Sequence, residues 1–263
     1  MKARISVILP TIGRDSLFQS LNSVSMQTIN IDEVFLVDDS PEQRISCDNN
    51  PVKILRTGGL KGPSFSRNLA MSCVTGDWIF FIDDDDYWTE NHVSNLLSFV
   101  DEKKLDAAYS SAIVNGSKRP KRVITGKVDP LIEIYSHANL VSNDYFLPTP
   151  GLIIAKAIAE HLPFNNLLRE REDLWFAHKI FEYQFRIQQS NDHTVIVHQS
   201  RKSYLARTNV KRDLEWSERL ELIDKKSSLN FLKGVALRNA ILRFEVFGII
   251  RIVKRIINNK YQL

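Results

Sequence analysis

The chain has 263 residues, 43% of them hydrophobic and 25% charged, so it is long enough for one sizeable α/β domain or two small ones. Two cysteines, Cys47 and Cys73, are too few for a disulfide framework and, without any Cys/His zinc pattern, indicate reduced cytosolic thiols. The formal charge of +4 comes from residues 233–263, which hold seven Lys/Arg and one acid, and this uneven placement argues against a nucleic-acid-binding face.

The first half of the chain alternates short apolar runs with helical patterns. Asp15, Ser64 and Thr89 each precede apolar residues at helical spacing, so we expect each of them to cap a helix. The resulting order predicts an α/β fold with a doubly wound, mostly parallel, Rossmann-like sheet, in which ligands bind at the carboxyl ends of the strands. The apolar runs that predict buried strands are ISVIL (5–9), EVFLV (33–37), VKILR (52–56) and WIFFI (78–82).

The second half has a less regular pattern. Residues 111–150 combine Pro, Asn and Gly with the basic stretch GSKRPKR, which indicates an irregular insertion. We expect two further strands, at 151–155 and 193–197, and a helix at 170–183. From Asp213 onwards we expect a helical C-terminal region.

Polar residues follow three of the predicted strands at the point where each strand ends. Pro10-Thr11 ends the first strand, Asp38-Asp39-Ser40 the second, and a run of four aspartates, Asp83 to Asp86, the fourth. Because the carboxyl ends of parallel strands meet at one edge of a sheet, we expect these segments to form one polar rim.

The run FFIDDDDYW is the most unusual of these strand ends. Four adjacent carboxylates repel one another and are costly to bury, so a lone DDDD most often forms a solvated loop. Here an apolar strand precedes the run, and Tyr87, Trp88 and a helix follow it, which predicts a tight strand-to-helix corner. Alternate carboxylates at such a corner can face the same way, so Asp83 and Asp85 could share a Mg²⁺ or Mn²⁺ ion that also binds phosphate oxygens.

Five segments in chain order resemble the motif series of family 2 glycosyltransferases with the GT-A fold. The resemblance covers about residues 4–180. It implies an inverting enzyme that transfers a sugar from a nucleotide donor with no covalent sugar intermediate, with Mn²⁺ or Mg²⁺ as cofactor. Enzymes of this kind build bacterial surface polysaccharide such as O-antigen. The segments are ISVILPT, VFLVDDS, GPSFSRN, FFIDDDDYW and REREDLW.

The resemblance implies a nucleotide site on the polar rim. Pro10 and Thr11 would line the nucleotide, and Asp39 would accept a hydrogen bond from the uracil of a UDP-sugar. Arg67, at a predicted helix start, would approach the nucleotide or its diphosphate, since a guanidinium and a helix N-terminus both favour phosphate. From the residues alone, a turn role for Asp39 and a surface ion pair for Arg67 are at least as well supported.

The resemblance also implies the metal site. Asp83 and Asp85 would form the metal-binding pair, with Asp85 the more direct ligand and Asp84 between them in the donor site. His198, in IVHQSR near a strand end, could add a metal or phosphate contact, although a single histidine is more often structural.

The resemblance implies that Glu172 and Asp173, in REREDLW, supply the acid–base catalysis. Asp173 would be the general base that removes the proton of the acceptor hydroxyl, with Glu172 as the alternative base. From the residues alone, the pair could instead lie on a solvated helix face among the charges of RERED.

Two other classes of protein fit parts of the pattern. A Mg²⁺-dependent phosphohydrolase of the haloacid-dehalogenase type also places aspartates at strand ends. Its nucleophile belongs in a DxDx(T/V) sequence after the first strand, and here that strand ends in PTIGR. A non-catalytic, membrane-docking assembly protein on the same fold would be expected to lose the metal pair or the Glu-Asp pair, and both are present.

We expect two parts in the chain. The predicted parts are a glycosyltransferase domain at 1–212, with a nucleotide-binding half at about 1–110 and an acceptor half at about 111–212, and a helical region at 213–263. The longest charge-free run of residues 233–260, at 246–250, is far too short to span a membrane.

The cations of residues 233–260 gather on one side of a helical wheel, opposite an apolar face. This predicts an interfacial helix on an anionic membrane, and the alternative is a helix that packs its apolar stripe on the catalytic domain. The expected partners are a UDP-sugar and a saccharide acceptor linked to a lipid diphosphate. The expected location is cytoplasmic, peripheral on the inner face of the cytoplasmic membrane.

Overall fold

A computed structural model describes residues 3–42, 45–46, 51–120, 122–136, 145–168, 170–198, 209–243 and 245–260. Cys47, and residues 121 and 137–144 of the predicted insertion, lie outside these ranges.

The chain divides into two compact units. The first consists of Met1–Gly126 and Phe146–His198, and the second of Lys127–Tyr145 and Gln199–Leu263. The division therefore falls at residue 199 and not at the expected boundary after residue 212. Segment 127–145 belongs to the second unit because its helix packs against the C-terminal helices.

Within the described part of the first unit, nine strands form one mixed sheet. The order across the sheet is β3-β2-β1-β4-β8-β6-β9-β5, with β7 paired to β6. The first four strands of that order are parallel neighbours, while β8, β7 and β5 run antiparallel to theirs. In chain order the strands are β1 (Ile5–Thr11), β2 (Glu33–Asp38), β3 (Val52–Arg56), β4 (Trp78–Phe81), β5 (Asp86–Trp88), β6 (Ala107–Val114), β7 (Ser117–Arg119), β8 (Leu152–Ala155) and β9 (Ile187–Val197).

The predicted α/β order is confirmed over the first four strands. Every residue of β1 and of β2 is buried, and β1 lies between β2 and β4. Strands covered on both faces need apolar side chains at successive positions, which explains their continuous apolar runs.

Three strands, β5, β6 and β7, occur where the sequence predicted none. β6 runs into the expected irregular insertion and lies between β8 and β9. Its sequence, AAYSSAIV, is rich in alanine and serine, and it buries Ser110 and Ser111, so it lacks the bulky run of the other strands. β5 begins at Asp86, the last aspartate of the run, and pairs with β9, so the predicted strand-to-helix corner is wrong and the run turns from strand to strand.

Helices occur in both units. They are α1 (Leu17–Ser25), α2 (Pro63–Met71), α3 (His92–Lys103), α4 (Pro130–Ser136), α5 (Lys156–His161), α6 (Glu172–Glu182), α7 (Val210–Ile223), α8 (Lys225–Phe231), α9 (Leu237–Leu242) and α10 (Val246–Lys260). The predicted caps Asp15, Ser64 and Thr89 are wrong, because other residues occupy the N-cap positions of α1, α2 and α3. Those residues are Ser16, Gly62 and Asn91.

The second unit is helical. Tyr135 of α4 packs against Phe231 of α8, with ring centroids 5.4 Å apart, and its hydroxyl accepts a hydrogen bond from Trp216 Nε1 of α7 (3.2 Å). A π-helical turn, Leu232–Ala236, joins α8 to α9, and α10 is a separate helix. Among the described residues, we find no helix with the length and apolar character needed to cross a bilayer.

Candidate active site

The carboxyl ends of β1, β2 and β4 meet at one edge of the sheet, as the sequence predicts. Thr11 pairs with Asp38 of β2, and its carbonyl accepts a hydrogen bond from the Asp39 N–H (2.8 Å). Thr11 Oγ1 donates to Asp84 Oδ2 (2.7 Å), beyond the end of β4. Pro10 lies one residue earlier in the buried strand. The three polar segments therefore form one continuous rim.

Asp84 organises the loop that follows β1. Its side chain is 2% exposed, Oδ2 also accepts the Ile12 N–H (3.2 Å), and Oδ1 pairs with Arg14. The Gly13 N–H in turn donates to Thr11 Oγ1 (2.9 Å). The structure thus places Asp84 inside the rim, where it fixes the loop, and a contact of Asp84 with the donor stays a prediction.

Asp83 and Asp85 lie on either side of this buried carboxylate and are partly exposed, at 32% and 38% of their side chains. Asp83 Oδ1 accepts a hydrogen bond from Arg67 Nη2 (2.8 Å), and Asp85 Oδ2 lies 3.4 Å from Arg14 Nη1. Two accessible carboxylates at a strand end are the donor chemistry that a hard divalent cation prefers. The pair therefore fits Mg²⁺ or Mn²⁺.

His198 is not part of a three-ligand group with that pair. Its exposed ring lies beside Tyr87, with centroids 5.6 Å apart. Within the described ranges, no cluster of three or more His, Cys, Asp or Glu side chains could hold a metal ion. The structure thus places the predicted third ligand against an aromatic ring.

Asp86 is the second buried carboxyl group of the run, at 6% exposure. Its burial, together with the negative charges of Asp83 and Asp85, raises the pKa of Asp86 to about 8, against the opposing effects of the His198 N–H and of Arg14. The carboxyl group is therefore mostly protonated at neutral pH, which lowers the charge of the run.

Arg67 connects the aspartate run to α6. Its guanidinium, 3% exposed, donates from Nη2 to Asp83 and from Nη1 to Glu172 Oε1 (3.1 Å). Although burial acts to lower it, the two neighbouring carboxylates raise the pKa of Arg67. The buried guanidinium is engaged on both sides, so it is not placed for the direct contact with a diphosphate that the sequence suggested.

Asp173 lies beside this bridge, in the first turn of α6. Desolvation of its carboxyl group and the charge of Glu172 raise the pKa of Asp173 to about 7, against the lowering effects of the Leu174 N–H (2.8 Å) and of Arg67. The Tyr109 hydroxyl, from β6, donates to the Asp173 carbonyl (3.5 Å). A carboxylate that titrates near neutral pH suits a general base, whereas Glu172 is held by an arginine.

Asp39 holds the segment that leads into α2. Its Oδ1 accepts hydrogen bonds from Thr57 Oγ1 and the Lys61 N–H (2.8 Å), and its Oδ2 accepts the Gly62 N–H (2.8 Å). The turn role considered for Asp39 is therefore present. Its contact with uracil stays a prediction.

Arg14 and Tyr109 belong to the site, and sequence reasoning did not identify them. Arg14 stands in PTIGR, three residues beyond the end of β1, and a single cation in that position does not by itself indicate a function. Tyr109 lies in β6, the strand that the pattern missed. Neither residue carries a local signal, because each acquires its role from segments distant in the chain.

The sequence model of one family, described as Glycosyl transferase family 2, matches residues 6–151, which is more than half of the chain. The chain belongs to this family. It is therefore an enzyme that transfers a sugar. The phosphohydrolase and the non-catalytic protein considered above are not favoured by this match.

Two relatives illustrate the range of similarity. This family 2 glycosyltransferase is 25% identical over 177 residues to the UDP-Glc:alpha-D-GlcNAc-diphosphoundecaprenol beta-1,3-glucosyltransferase WfaP of Escherichia coli, an alignment that covers 65% of this chain and 68% of WfaP. It is 25% identical over 266 residues to the glycosyltransferase GlyG of Streptococcus pneumoniae, covering 93% of this chain and 86% of GlyG.

Solved structures confirm the GT-A fold. S. aureus TarS 1-349 in complex with UDP-GlcNAc matches with a TM-score of 0.66 at 20% identity, over 97% of this chain and 81% of that one. The mannosyltransferase PcManGT from Pyrobaculum calidifontis, in complex with GDP-Man and Mn²⁺, matches with a TM-score of 0.58 at 16% identity, over 92% and 65%. At these identities the likeness concerns the fold.

Proposed function

We propose that this enzyme is an inverting transferase that moves a hexose or an N-acetylhexosamine from a UDP-sugar to a saccharide carried on a lipid diphosphate, in the biosynthesis of bacterial O-antigen or capsule. The observation that carries the proposal is the bridge from Asp83 through Arg67 to Glu172, which connects the carboxylate pair to the segment of Asp173. The name of WfaP, with its UDP-Glc donor and its diphosphoundecaprenol-linked acceptor, supports both substrate classes.

On the donor side, Asp83 and Asp85 would hold the divalent cation, with Asp85 the more direct ligand. When bound, the ion offsets the negative charge that develops on the departing diphosphate. Pro10 and Thr11 would line the nucleotide. Asp39 Oδ2 accepts one backbone N–H among the described residues, so a second lone pair is available for the imide N–H of uracil.

On the acceptor side, Asp173 would take the proton of the attacking hydroxyl. The oxygen then forms a bond to the anomeric carbon on the face opposite the diphosphate. The bond from that carbon to the diphosphate oxygen breaks, and UDP leaves with the electron pair. Attack and departure on opposite faces invert the configuration without a covalent bond between sugar and enzyme.

The C-terminal helix supports the proposed membrane partner. Ile252 of α10 is fully buried, while Arg251 and Lys254 are exposed, next to an apolar stripe that faces solvent. We name as the α10 stripe the side chains of Val246, Phe247, Ile250, Val253 and Ile257, which are between 38% and 84% exposed. An exposed apolar face bordered by cations suits an anionic bilayer surface. The enzyme would then be cytoplasmic and peripheral, on the inner face of the membrane.

A donor screen tests the proposed reaction. UDP-, dTDP- and GDP-sugars are each incubated with Mn²⁺ and a lipid-diphosphate-linked GlcNAc, and nucleotide release and product configuration are measured. We expect turnover of a UDP-sugar, its loss with EDTA, and an inverted anomeric centre. Turnover of only another nucleotide class would overturn the proposed donor, and a retained configuration would overturn the proposed mechanism.

A further inference from the structure

Two adjacent residues of α2, Arg67 and Asn68, hold both ends of the stretch 164–172. Asn68 Nδ2 donates to the Phe164 carbonyl (2.9 Å), and Asn68 Oδ1 accepts the Phe164 N–H (2.8 Å). At the other end, Arg67 donates to Glu172 Oε1 (3.1 Å). The stretch that leads into α6 is therefore fixed to α2 where it begins and where it ends.

Arg67 extends this connection to the donor side. Its second Nη group donates to Asp83 Oδ1 (2.8 Å), and its guanidinium carbon lies 5.3 Å from the centroid of the Phe164 ring. Because a guanidinium is a rigid planar fork, two carboxylates bound to its two arms are kept at a fixed separation. Asp83 and Glu172 come from segments that are distant in the chain, and this one side chain sets their spacing.

We infer that Arg67 and Asn68 are positioning residues that hold Asp173 at a fixed place relative to Asp83 and Asp85. Arg67 acts through Glu172, the neighbour of Asp173, and Asn68 acts through the backbone at Phe164. The inference rests on the proposed function, because it takes Asp173 as the base and the aspartate pair as the donor site. It replaces the direct diphosphate contact first considered for Arg67.

The chemical reason is the geometry of an in-line displacement. The acceptor hydroxyl, held by the base, and the anomeric carbon, held through the diphosphate, must approach within contact distance along one line. A misplacement of about 1 Å can lower the rate by about 10²-fold while each substrate still binds. Positioning residues therefore affect kcat more than KM.

Three variants and one control test the inference in the full chain. Arg67→Lys keeps the charge and loses the fork, Arg67→Met loses both, and Asn68→Ala removes the backbone clamp. Arg186→Met is the control, because Arg186 is also ion-paired, with Asp106, but is 60% exposed. Steady-state kcat, both KM values, pH profiles and melting temperatures are measured with the UDP-sugar that the wild type uses.

We expect kcat of Arg67→Lys to fall by about 10²-fold, with the donor KM within about threefold of wild type, and a smaller fall in kcat for Asn68→Ala. A further variant that combines Arg67→Lys with Asn68→Ala should lose less activity than the product of the two single effects, because both residues act on one segment. Arg186→Met should retain wild-type kcat.

The pH profile gives a readout that a purely structural role would not change. The charged and titratable groups around the Asp173 carboxyl are Glu172, Arg67, Asp83 and Tyr109. Because the charge of Arg67 favours the ionised form of Asp173, Arg67→Met should move the acidic limb of kcat to higher pH. Arg67→Lys should leave that limb in place.

Three results would overturn the inference. They are wild-type kcat in Arg67→Lys, a donor KM that rises as much as kcat falls, and a pH limb that does not move in Arg67→Met. The second result would indicate that Arg67 contacts the diphosphate directly. If Arg67→Met does not fold, Arg67→Lys and Asn68→Ala decide by their kcat values. A wild type that transfers no sugar from any donor would refute the proposed function itself.

Discussion

At the scale of single residues, Asp83 to Asp86 place four carboxyl groups in four environments. Asp84 points inward and binds the loop after β1, and Asp86 points inward and is mostly neutral at pH 7. Asp83 and Asp85 remain at the surface, each near an arginine. The alternation of partly exposed and buried positions along the run, combined with two arginines and the raised pKa of Asp86, therefore removes most of the repulsion that makes DDDD unusual.

Asp85→Asn should lower the rate of transfer by at least about 10²-fold, because an amide cannot supply the charge that holds a cation near the leaving diphosphate. The rate is measured as UDP release with Mn²⁺ present. Asp101→Asn is the control, since Asp101 is 85% exposed on α3 and pairs only with Lys104 among the ion pairs of the described residues. Unchanged activity of Asp85→Asn, or of the wild type in EDTA, would refute the metal site.

Asp173→Asn should lower kcat by about 10²- to 10⁴-fold, the range for loss of a general base, and leave UDP affinity unchanged. In the wild type, kcat should fall as the pH drops below about 7, because protonation of Asp173, whose pKa is raised to about 7, removes the base. Kinetics from pH 5.5 to 8.5 and UDP titration check both points. Equal losses of UDP affinity and rate would assign Asp173 to the nucleotide and make Glu172 the candidate base.

Asp86→Asn should stabilise the protein most at alkaline pH. Between the ordinary carboxyl pKa of 3.8 and the raised pKa of Asp86, about 8, the folded state binds a proton that the unfolded state lacks. Stability therefore falls as the pH rises through this range, and a neutral amide removes that loss. Melting temperatures of both proteins in EDTA at pH 5 and pH 8.5 test this. An equal difference at the two pH values would contradict the raised pKa.

The candidate site was predictable from sequence only in part. The aspartate run carries a local signal, and its place on the rim follows from strand order. The Glu-Asp pair, on α6, was identified only through the family resemblance. The roles of Arg67, Arg14 and Asp84 do not, because each depends on a partner that is 70 or more residues away or on a strand that the pattern missed.

At the scale of elements, the same distinction separates β1 to β4 from β6. β1, β2 and β4 have apolar runs that burial on both faces requires, and β3, at the edge of the sheet, has an apolar run that is only partly buried. β6 fills the middle of the other half of the sheet with alanine, serine and one tyrosine, and it is stabilised by its neighbours β8 and β9. A strand whose stability comes from tertiary pairing has little intrinsic signal. The cap predicted for α2, Ser64, was wrong because the helix begins one residue earlier, at Pro63. Proline suits the first turn of a helix.

The substitution Gly126→Ala tests how closely the loop that contains Gly126 approaches β9. The φ of Gly126 is +69°, and a Cβ there would lie 1.9 Å from the Ile187 carbonyl oxygen. Gly126→Ala should cost about 1–2 kcal/mol for the backbone and about 1–3 kcal/mol more for the clash. Gly116→Ala is the matched control, because its φ is +80° and nothing lies within 4 Å of the added Cβ. Denaturant unfolding of both should show the larger loss for Gly126→Ala, and equal losses would contradict the close approach.

At the scale of the whole molecule, the charge asymmetry of the sequence has a structural counterpart. The basic C-terminal residues belong to the second, helical unit, whereas the carboxylate rim belongs to the first. The helical wheel predicted an amphipathic end, and the exposed apolar residues of 233–260 lie mainly on α10, with Ile241 of α9 also exposed, whereas Leu232 and Ala236 are buried. Among the described residues, this exposed stripe on a basic helix is the feature on which the proposed docking to an anionic surface rests.

Phe247→Glu should weaken binding to anionic vesicles by about tenfold or more, because burial of a phenylalanine contributes about 1.5–3 kcal/mol and about 1.4 kcal/mol is tenfold in affinity. Flotation of the full chain with phosphatidylglycerol-containing vesicles measures this, and binding should fall with salt as the contribution of Arg251 and Lys254 is screened. Phe18→Glu is the matched control, since Phe18 is 83% exposed on α1 and Phe247 is 84% exposed on α10. If both variants lose binding equally, or if the wild type binds neutral and anionic vesicles alike, the α10 stripe does not dock on an anionic membrane.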